Sequence, residues 1–348
     1  MDDFERWMKP IWDTDIVYDE SLMFLRGTDG DLSAPLLFKP NRILSVMAAN
    51  RSAVYKEGQD WVLDGQRIRL PESSRIFHFE QDELYPREPI EKHTFPMPDG
   101  RYNLFYEGHF FHDRQVVVTY ECDKGQWDGI LPEYAGDKLP NTMRRLKNGE
   151  PLKVVFYGAS ISVGCNASKF VNCPPYQPAW MDLVIETLRR NYTSEITVVN
   201  TAVGGTDTRW AVETTEEHVN AYKPDLVFID FGGNDVRMDP DEFAGNIAAI
   251  REKIRAEFPE TEYVLLATMV PSKLLGPGGA QFYGNQPEHR RVLKKLCGVG
   301  TVLASISDLQ DSVYAHKRFI DLTANNVNHP NDFFHRLMAQ YISGFFVR

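Results

Sequence analysis

The chain has 348 residues, 43% apolar and 25% charged, with a formal net charge of -11. This composition excludes a disordered chain and leaves room for two cores of ordinary size. The negative balance repels phosphate backbones and anionic headgroups, so nucleic acid and membrane surfaces are poor partners and a neutral substrate fits better. The cysteines Cys122, Cys165, Cys173 and Cys297 show neither CxxC nor metal-site spacing. Reduced thiols are expected, although Cys165 and Cys173 could meet across a loop. The opening MDDFERWMKPIW has no basic stretch followed by an apolar one, and no run of 18 apolar residues occurs. A cytoplasmic location without membrane spans is the plain reading.

Residues 1–126 read as a β-sandwich domain, jelly-roll-like. Segments such as RILSVMAA, WVLDGQRIRL, YNLFYEGHFF and RQVVVTYEC are short and rich in aromatic or β-branched residues. Turns such as GTDGD, KEGQD and MPDGR separate them. His109 and His112 in GHFFHD, placed on a strand, point to opposite faces, and no further ligand completes a metal site. The stretch 127–150 is polar, carries Gly and Pro and holds at most one short helix, so it reads as a linker.

After Pro151 the pattern changes. KVVFYGAS, ITVVNTAVGG, PDLVFIDFGGND, YVLLATMVPS and TVLASISDL are apolar strands, several breaking into small or polar residues. PAWMDLVIETLRRNY, ETTEEHVNAYK, PDEFAGNIAAIREKIRAEFP, QPEHRRVLKKLCGVG and the terminal HPNDFFHRLMAQYISGFF have helical spacing. Strands alternating with helices over 151–348 predict an α/β domain with a parallel sheet covered on both faces.

In such sheets function gathers at the carboxyl ends of the strands. Ser160 follows an apolar strand among Gly158 and Ala159, where small neighbours let a carbonyl approach its hydroxyl. A serine needs an adjacent base, and His329, in a polar loop before the last helix, is the best one. Gly205 can expose its backbone N–H, and the Asn234 amide can point at the same oxygen; with the Ser160 N–H they make a three-donor oxyanion hole. Alone, Ser160 would be an N-cap and GGND a tight turn; their joint occurrence argues otherwise. Asp235 reads as structural. Arg209 and Trp210 follow Gly205 closely enough to contact substrate. Tyr176 and Trp180 could form a sugar platform or belong to the core. His218, His289, His316 and His335 read as surface groups. The glycosylation acceptor patterns at Asn166 and Asn191 carry no weight in a cytoplasmic protein.

The four blocks GAS (158–160), NTAVGG (200–205), GGND (232–235) and NVNHP (326–330), in this order, resemble the SGNH (GDSL-like) hydrolase family. The resemblance covers residues 153 to the C-terminus. It implies a flavodoxin-like three-layer α/β/α domain and cleavage of acyl esters of sugars, lipids or thioesters. It places the nucleophile at Ser160 and the oxyanion groups at Gly205 and Asn234. One position departs: three residues before the histidine the family has an aspartate, and this chain has Asn326. Either Asn326 orients His329 through a neutral hydrogen bond, or a Ser–His dyad works with a backbone carbonyl, or Asp321 or Asp332 supplies the carboxylate. A β-sandwich preceding such a domain resembles the two-domain carbohydrate esterases. That implies a serine esterase removing acetyl groups from a saccharide, without metal or cofactor. The alternatives are a lipid or thioester hydrolase and a non-catalytic carbohydrate-binding protein. A homo-oligomer is compatible with the sequence.

Overall fold

Five strands form the central sheet: β1 (Leu152–Gly158), β2 (Ile196–Asn200), β3 (Leu226–Asp230), β4 (Glu262–Ala267) and β5 (Thr301–Ser305). The structure is a computed structural model and describes residues 2–348. The strands are all parallel, in the order β2-β1-β3-β4-β5. They carry little polar alternation because both faces are covered. Val154, Phe156, Leu226 and Phe228 enter one hydrophobic cluster, and the intervening Val155, Tyr157, Val227 and Ile229 enter the other.

Seven helices supply the cover: α1 (Pro140–Asn148), α2 (Trp180–Asn191), α3 (Thr208–His218), α4 (Pro240–Glu257), α5 (Gln286–Lys294), α6 (Ile306–Tyr314) and α7 (Asp332–Ser343). Apolar residues of α1, α2, α6 and α7 lie in the first cluster, and those of α3, α4 and α5 in the second. The result is the expected three-layer α/β/α domain with the flavodoxin strand order. The strand order reverses beside β1, so the crevice for a ligand opens at the carboxyl ends of β1 and its neighbours.

The stretch 127–150 holds one short helix, as its composition allowed: α1, whose Met143 and Leu146 are buried in the first cluster. The Glu262 carboxylate at the start of β4 accepts the Asn141 and Thr142 N–H groups at 3.0 and 2.8 Å, fixing the start of α1 to the sheet. The N-terminal region is β-rich as expected, but it forms separate sheets instead of one continuous sandwich. It holds a three-stranded antiparallel sheet (Ile16–Leu22, Val116–Cys122, Pro40–Ala48), a second of three short strands (Ser33–Pro35, Arg67–Arg69, Val62–Asp64) and a hairpin (Thr94–Pro96, Tyr102–Leu104). Short aromatic segments suggested more strand than forms, and GHFFHD lies in turns and a 3-10 helix.

The N-terminal sheets share the core of the α/β domain. Leu22, Val118 and Tyr120 join the cluster that contains Phe333 and Leu337 of α7. A buried ion pair crosses the junction: Lys317 Nζ lies 2.6 Å from Glu20 Oε1, and Tyr120 donates to Glu20 Oε2 at 2.6 Å. Removing either charge would leave the other unpaired away from water, so the pair locks the two regions in register. All four cysteines are free thiols. Among the described residues, no helix is long and apolar enough to cross a membrane.

Candidate active site

Ser160 sits immediately beyond β1, at the first position of a helical turn (Ser160–Val163). The chain must bend sharply against β3 here. A Cβ on Gly158 would stand 2.7 Å from the Asp230 carbonyl oxygen, so this position requires glycine. The turn is tied from three sides. Ser162 Oγ donates to Asp230 Oδ2 at 2.7 Å, Asn200 Nδ2 donates to the Ser162 carbonyl at 2.7 Å, and Trp180 Nε1 donates to the Ile161 carbonyl at 3.2 Å. Burial pushes the Asp230 carboxyl up to about 6. Trp180 is fully buried and braces the nucleophile turn from below, so it is no sugar platform.

His329 is brought to Ser160 by the loop before α7. Its Nε2 lies 2.9 Å from Ser160 Oγ. The loop is shaped by Asn325, whose Oδ1 accepts the N–H groups of Val327, Asn328 and His329, each at 3.0 Å. The other ring nitrogen, Nδ1, lies 2.7 Å from Asn166 Oδ1 and 3.4 Å from Glu107 Oε2. The Asn166 amide is itself oriented, because its Nδ2 donates to the Gly108 carbonyl at 3.0 Å. This leaves Oδ1 to accept from Nδ1–H and holds the tautomer in which Nε2 accepts the serine proton.

Asn326 does not reach His329. Its backbone is left-handed, φ 63°, a region that asparagine tolerates better than most residues. Its Nδ2 donates to the Leu104 carbonyl at 3.0 Å and to Asn103 Oδ1 at 3.2 Å, while its own carbonyl accepts from Asn103 Nδ2 at 2.9 Å. An aspartate could not donate to Leu104, which accounts for an amide at this position. Asp321 pairs with Arg318 at 2.8 Å, and Asp332 accepts the Ser168 N–H at 2.8 Å, so neither serves the histidine.

The expected oxyanion donors meet at one cavity. Ser160, Gly204, Gly205, Asn234 and His329 all line a space of about 600 Å³. The Ser160 N–H opens its helical turn, where backbone donors have no partner within the helix. Gly205 has φ +82°, a conformation natural to glycine. Asn234 Nδ2 donates one hydrogen to the Thr206 carbonyl at 2.8 Å, which orients the second. Asp235 holds the two loops together, accepting the Thr208 N–H at 2.9 Å and the Gly232 N–H at 3.0 Å.

The expected substrate contacts lie elsewhere. Arg209 is paired with Glu242 at 2.7 Å in a neighbouring depression, and Trp210 packs on Tyr157 and Phe231 against the second cluster. Tyr176 is exposed but does not line the cavity. The walls are instead Phe95, Phe105, Phe170, Val171, Phe282 and Val327. Phe95 lies at the centre of one aromatic group, with ring centroids 5.0 Å from Phe105 and 4.7 Å from Phe282. The hairpin region thus contributes Phe95, Phe105 and Glu107 to a cavity whose serine and histidine belong to the α/β domain. Aromatic density around YNLFYEGHFF was visible in the sequence, but no spacing there signals a catalytic cavity.

Other titratable groups are set apart. Burial raises the thiol of Cys165, another cavity residue, to about 11, which disfavours the thiolate. His289 and His335, expected on the surface, are buried, and burial lowers them to about 4 and about 3. His109, Asp113 and Cys173 bring their donor atoms within 4.8 Å of one another, the one such group among the described residues. His109 already bonds Asp113 at 2.5 Å and Asn50 donates to the same carboxylate at 2.9 Å, so the group is satisfied internally. His112 turns away and bonds the Pro174 carbonyl at 2.7 Å.

Residues 156–337 match the GDSL-like Lipase/Acylhydrolase family. Among solved structures, a two-domain esterase active on acetylated mannans is 24% identical, with 63% of this chain and 54% of that chain covered and a TM-score of 0.49. This chain therefore spans about half the length of that esterase. An acetylxylan esterase from Geobacillus stearothermophilus is 20% identical, with 56% of this chain and 93% of that one covered and a TM-score of 0.45. No curated protein matches the chain significantly.

Proposed function

Since the chain belongs to the GDSL-like Lipase/Acylhydrolase family, we propose that it is a serine carboxylic-ester hydrolase that removes short acyl groups, acetyl foremost, from a saccharide. The observation that carries the reaction class is the 2.9 Å contact between His329 Nε2 and Ser160 Oγ at the carboxyl end of β1. His329 takes the serine proton as Oγ attacks the ester carbonyl. The developing oxyanion receives hydrogen bonds from the Ser160 N–H, the Gly205 N–H and the free Asn234 N–H. His329 then protonates the departing alcohol, and in the second half-reaction it activates water against the acyl-enzyme. Asn166 keeps the ring in the competent tautomer throughout.

The saccharide assignment rests on the likeness of the layout, β-rich region before hydrolase domain, to carbohydrate esterases. Acetylated xylan and mannan oligosaccharides, the kinds of substrate named for the similar structures, are the substrates to try. Aromatic faces such as Phe170, which is exposed at the mouth, suit the apolar face of a sugar ring. A second reading has an observation of its own. The phenylalanine wall would also accept a longer acyl chain, as in a lipid or thioester hydrolase. The non-catalytic reading drew only on Asn326, and Asn326 belongs to the loop support rather than to the histidine.

The test is hydrolysis of 4-nitrophenyl acetate, butyrate and octanoate, together with acetate release from acetylated xylo- and manno-oligosaccharides. The expected result is kcat/KM for acetate at least about tenfold above octanoate, with acetate released from an oligosaccharide. Preference for octanoate would move the assignment to a lipid or thioester hydrolase. Activity of a folded Ser160→Ala variant within tenfold of wild type would sink the serine mechanism.

A further inference from the structure

We propose that Glu107, carried in from the N-terminal region, is the charged positioning residue of the catalytic histidine; this rests on the serine-hydrolase reading of the site. The base must pass through an imidazolium during each half-reaction. Asn166 fixes the tautomer but is neutral, so it offers the imidazolium a dipole and no compensating charge. Among the described residues, Glu107 is the one carboxylate within 4 Å of the ring, with Oε2 at 3.4 Å from Nδ1. It occupies the role that the aspartate before the histidine fills in the family pattern, and it arrives from a distant part of the sequence.

The placement is built from several contacts. Asn325 Nδ2 donates to Glu107 Oε1 at 3.1 Å, while the Oδ1 of the same amide shapes the histidine loop. The next residue, Gly108, provides the carbonyl that orients Asn166. Asn103 and Leu104, just upstream, clasp Asn326. One short stretch of the N-terminal region therefore sets both partners of the ring and anchors the loop that bears it.

The electrostatics agree with this role. Burial pushes the Glu107 carboxyl up, but the hydrogen bond and charge of His329, with the amides of Asn325 and Asn166, outweigh it and hold the group below the usual carboxylate range. The other titratable neighbours of the ring bring no competing charge. His335, buried on α7, is lowered to about 3 and is neutral, and Cys165 is raised to about 11 and remains a thiol. The Glu107 side chain is half exposed, and the residue lines the cavity. A bound substrate would cover it, exclude water and strengthen its attraction to the imidazolium.

The experiment compares Glu107→Gln and Glu107→Asp with wild type, following kcat and KM for 4-nitrophenyl acetate against pH. The glutamine keeps the volume and the contact with Asn325 but removes the charge. The expected result is a fall in kcat of roughly ten- to a hundredfold with KM changed little, since charge stabilisation is needed only once the ring is protonated. Loss of a neighbouring carboxylate makes the ring harder to protonate, so the acidic limb of kcat/KM should move to lower pH. Glu107→Asp should recover part of kcat and return the limb toward wild type. A folded Glu107→Gln with kcat within twofold of wild type and an unmoved limb overturns the inference. If the glutamine variant fails to fold, Glu107→Asp decides: kcat below wild type with the limb at or just below its wild-type position supports the role, and full kcat with an unmoved limb overturns it. Ser160→Ala, measured alongside, separates this outcome from failure of the serine mechanism, because only that variant tests the nucleophile.

Discussion

Asn166 Oδ1 stands 2.7 Å from His329 Nδ1, on the edge of the ring opposite Ser160. The amide in contact with the ring therefore follows Ser160 by six positions instead of preceding the histidine by three. Asn166→Ala should lower kcat by roughly ten- to a thousandfold, because the ring then populates the wrong tautomer or rotamer. Asn166→Asp should retain more activity than Asn166→Ala, since it can still accept from Nδ1–H. Steady-state kinetics on both variants, with circular dichroism as a folding control, checks this; equal activity of Asn166→Ala and wild type would remove the orienting role.

Asn326 should behave in the opposite way. Its side chain touches the hairpin and not the ring, so Asn326→Ala should keep kcat within about threefold of wild type. Stability should fall instead, by roughly 1–3 kcal/mol, because the buried Leu104 carbonyl and Asn103 lose a partner. Asn326→Asp should destabilise as well, as a carboxylate cannot donate to Leu104. Urea unfolding monitored by fluorescence, paired with kinetics, distinguishes this from a catalytic loss.

Asn234 offers a test of the oxyanion hole. Asn234→Ala removes a donor that matters when charge develops on the carbonyl oxygen, so kcat should drop roughly a hundred- to a thousandfold while KM moves little. A rise in KM with unchanged kcat would mean that the amide binds the ground state only.

Asp230 gives the fold a pH dependence. Its folded pKa, raised by burial from 3.8 to about 6, makes the protonated carboxyl the form the native state prefers. Its contribution to stability is thus complete below pH 3.8 and is lost as pH rises through 6. With about 1.4 kcal/mol per unit, the loss amounts to roughly 3 kcal/mol. Asp230→Asn keeps a polar partner for Ser162 and cannot ionise. Its stability relative to wild type should therefore be higher at pH 8 than at pH 4, as thermal unfolding at the two values would show. The same difference at both values would show that Asp230 does not titrate in this range.

Much of the site's local chemistry was readable in the chain itself. Gly158 must be small because β1 and β3 pass so closely at Asp230, and Ser160 is exposed because the strand ends there. Gly205, Asn234 and His329 each follow an element whose period and breakers are written locally. A parallel α/β layer arrangement follows directly from that alternation, since a doubly covered strand has to be apolar on both sides. The same local logic overreached in the first 126 residues. Aromatic segments such as YNLFYEGHFF have strand-like composition, yet only Tyr102–Leu104 forms a strand there, Tyr106 and Phe110 stack on each other beyond it, and Phe105 is spent on the cavity wall.

What the tertiary structure alone decided is who stands next to the imidazole. Asn166 resembled a glycosylation acceptor, Glu107 was one acid among aromatics, and Asn326 held the position of the family's aspartate. Spacing along the chain ranks Asn326 first, but its left-handed backbone and its bonds to Leu104 and Asn103 turn it toward the hairpin. Hydrogen bonds to the ring depend on where distant segments are packed, and the N-terminal region docks through contacts such as Glu20 with Lys317 that no local pattern encodes. The sequence determined that a serine and a histidine would meet at the end of a parallel sheet. Packing between the two regions decided that an amide beside the nucleophile and a carboxylate from the other half of the chain would flank the base.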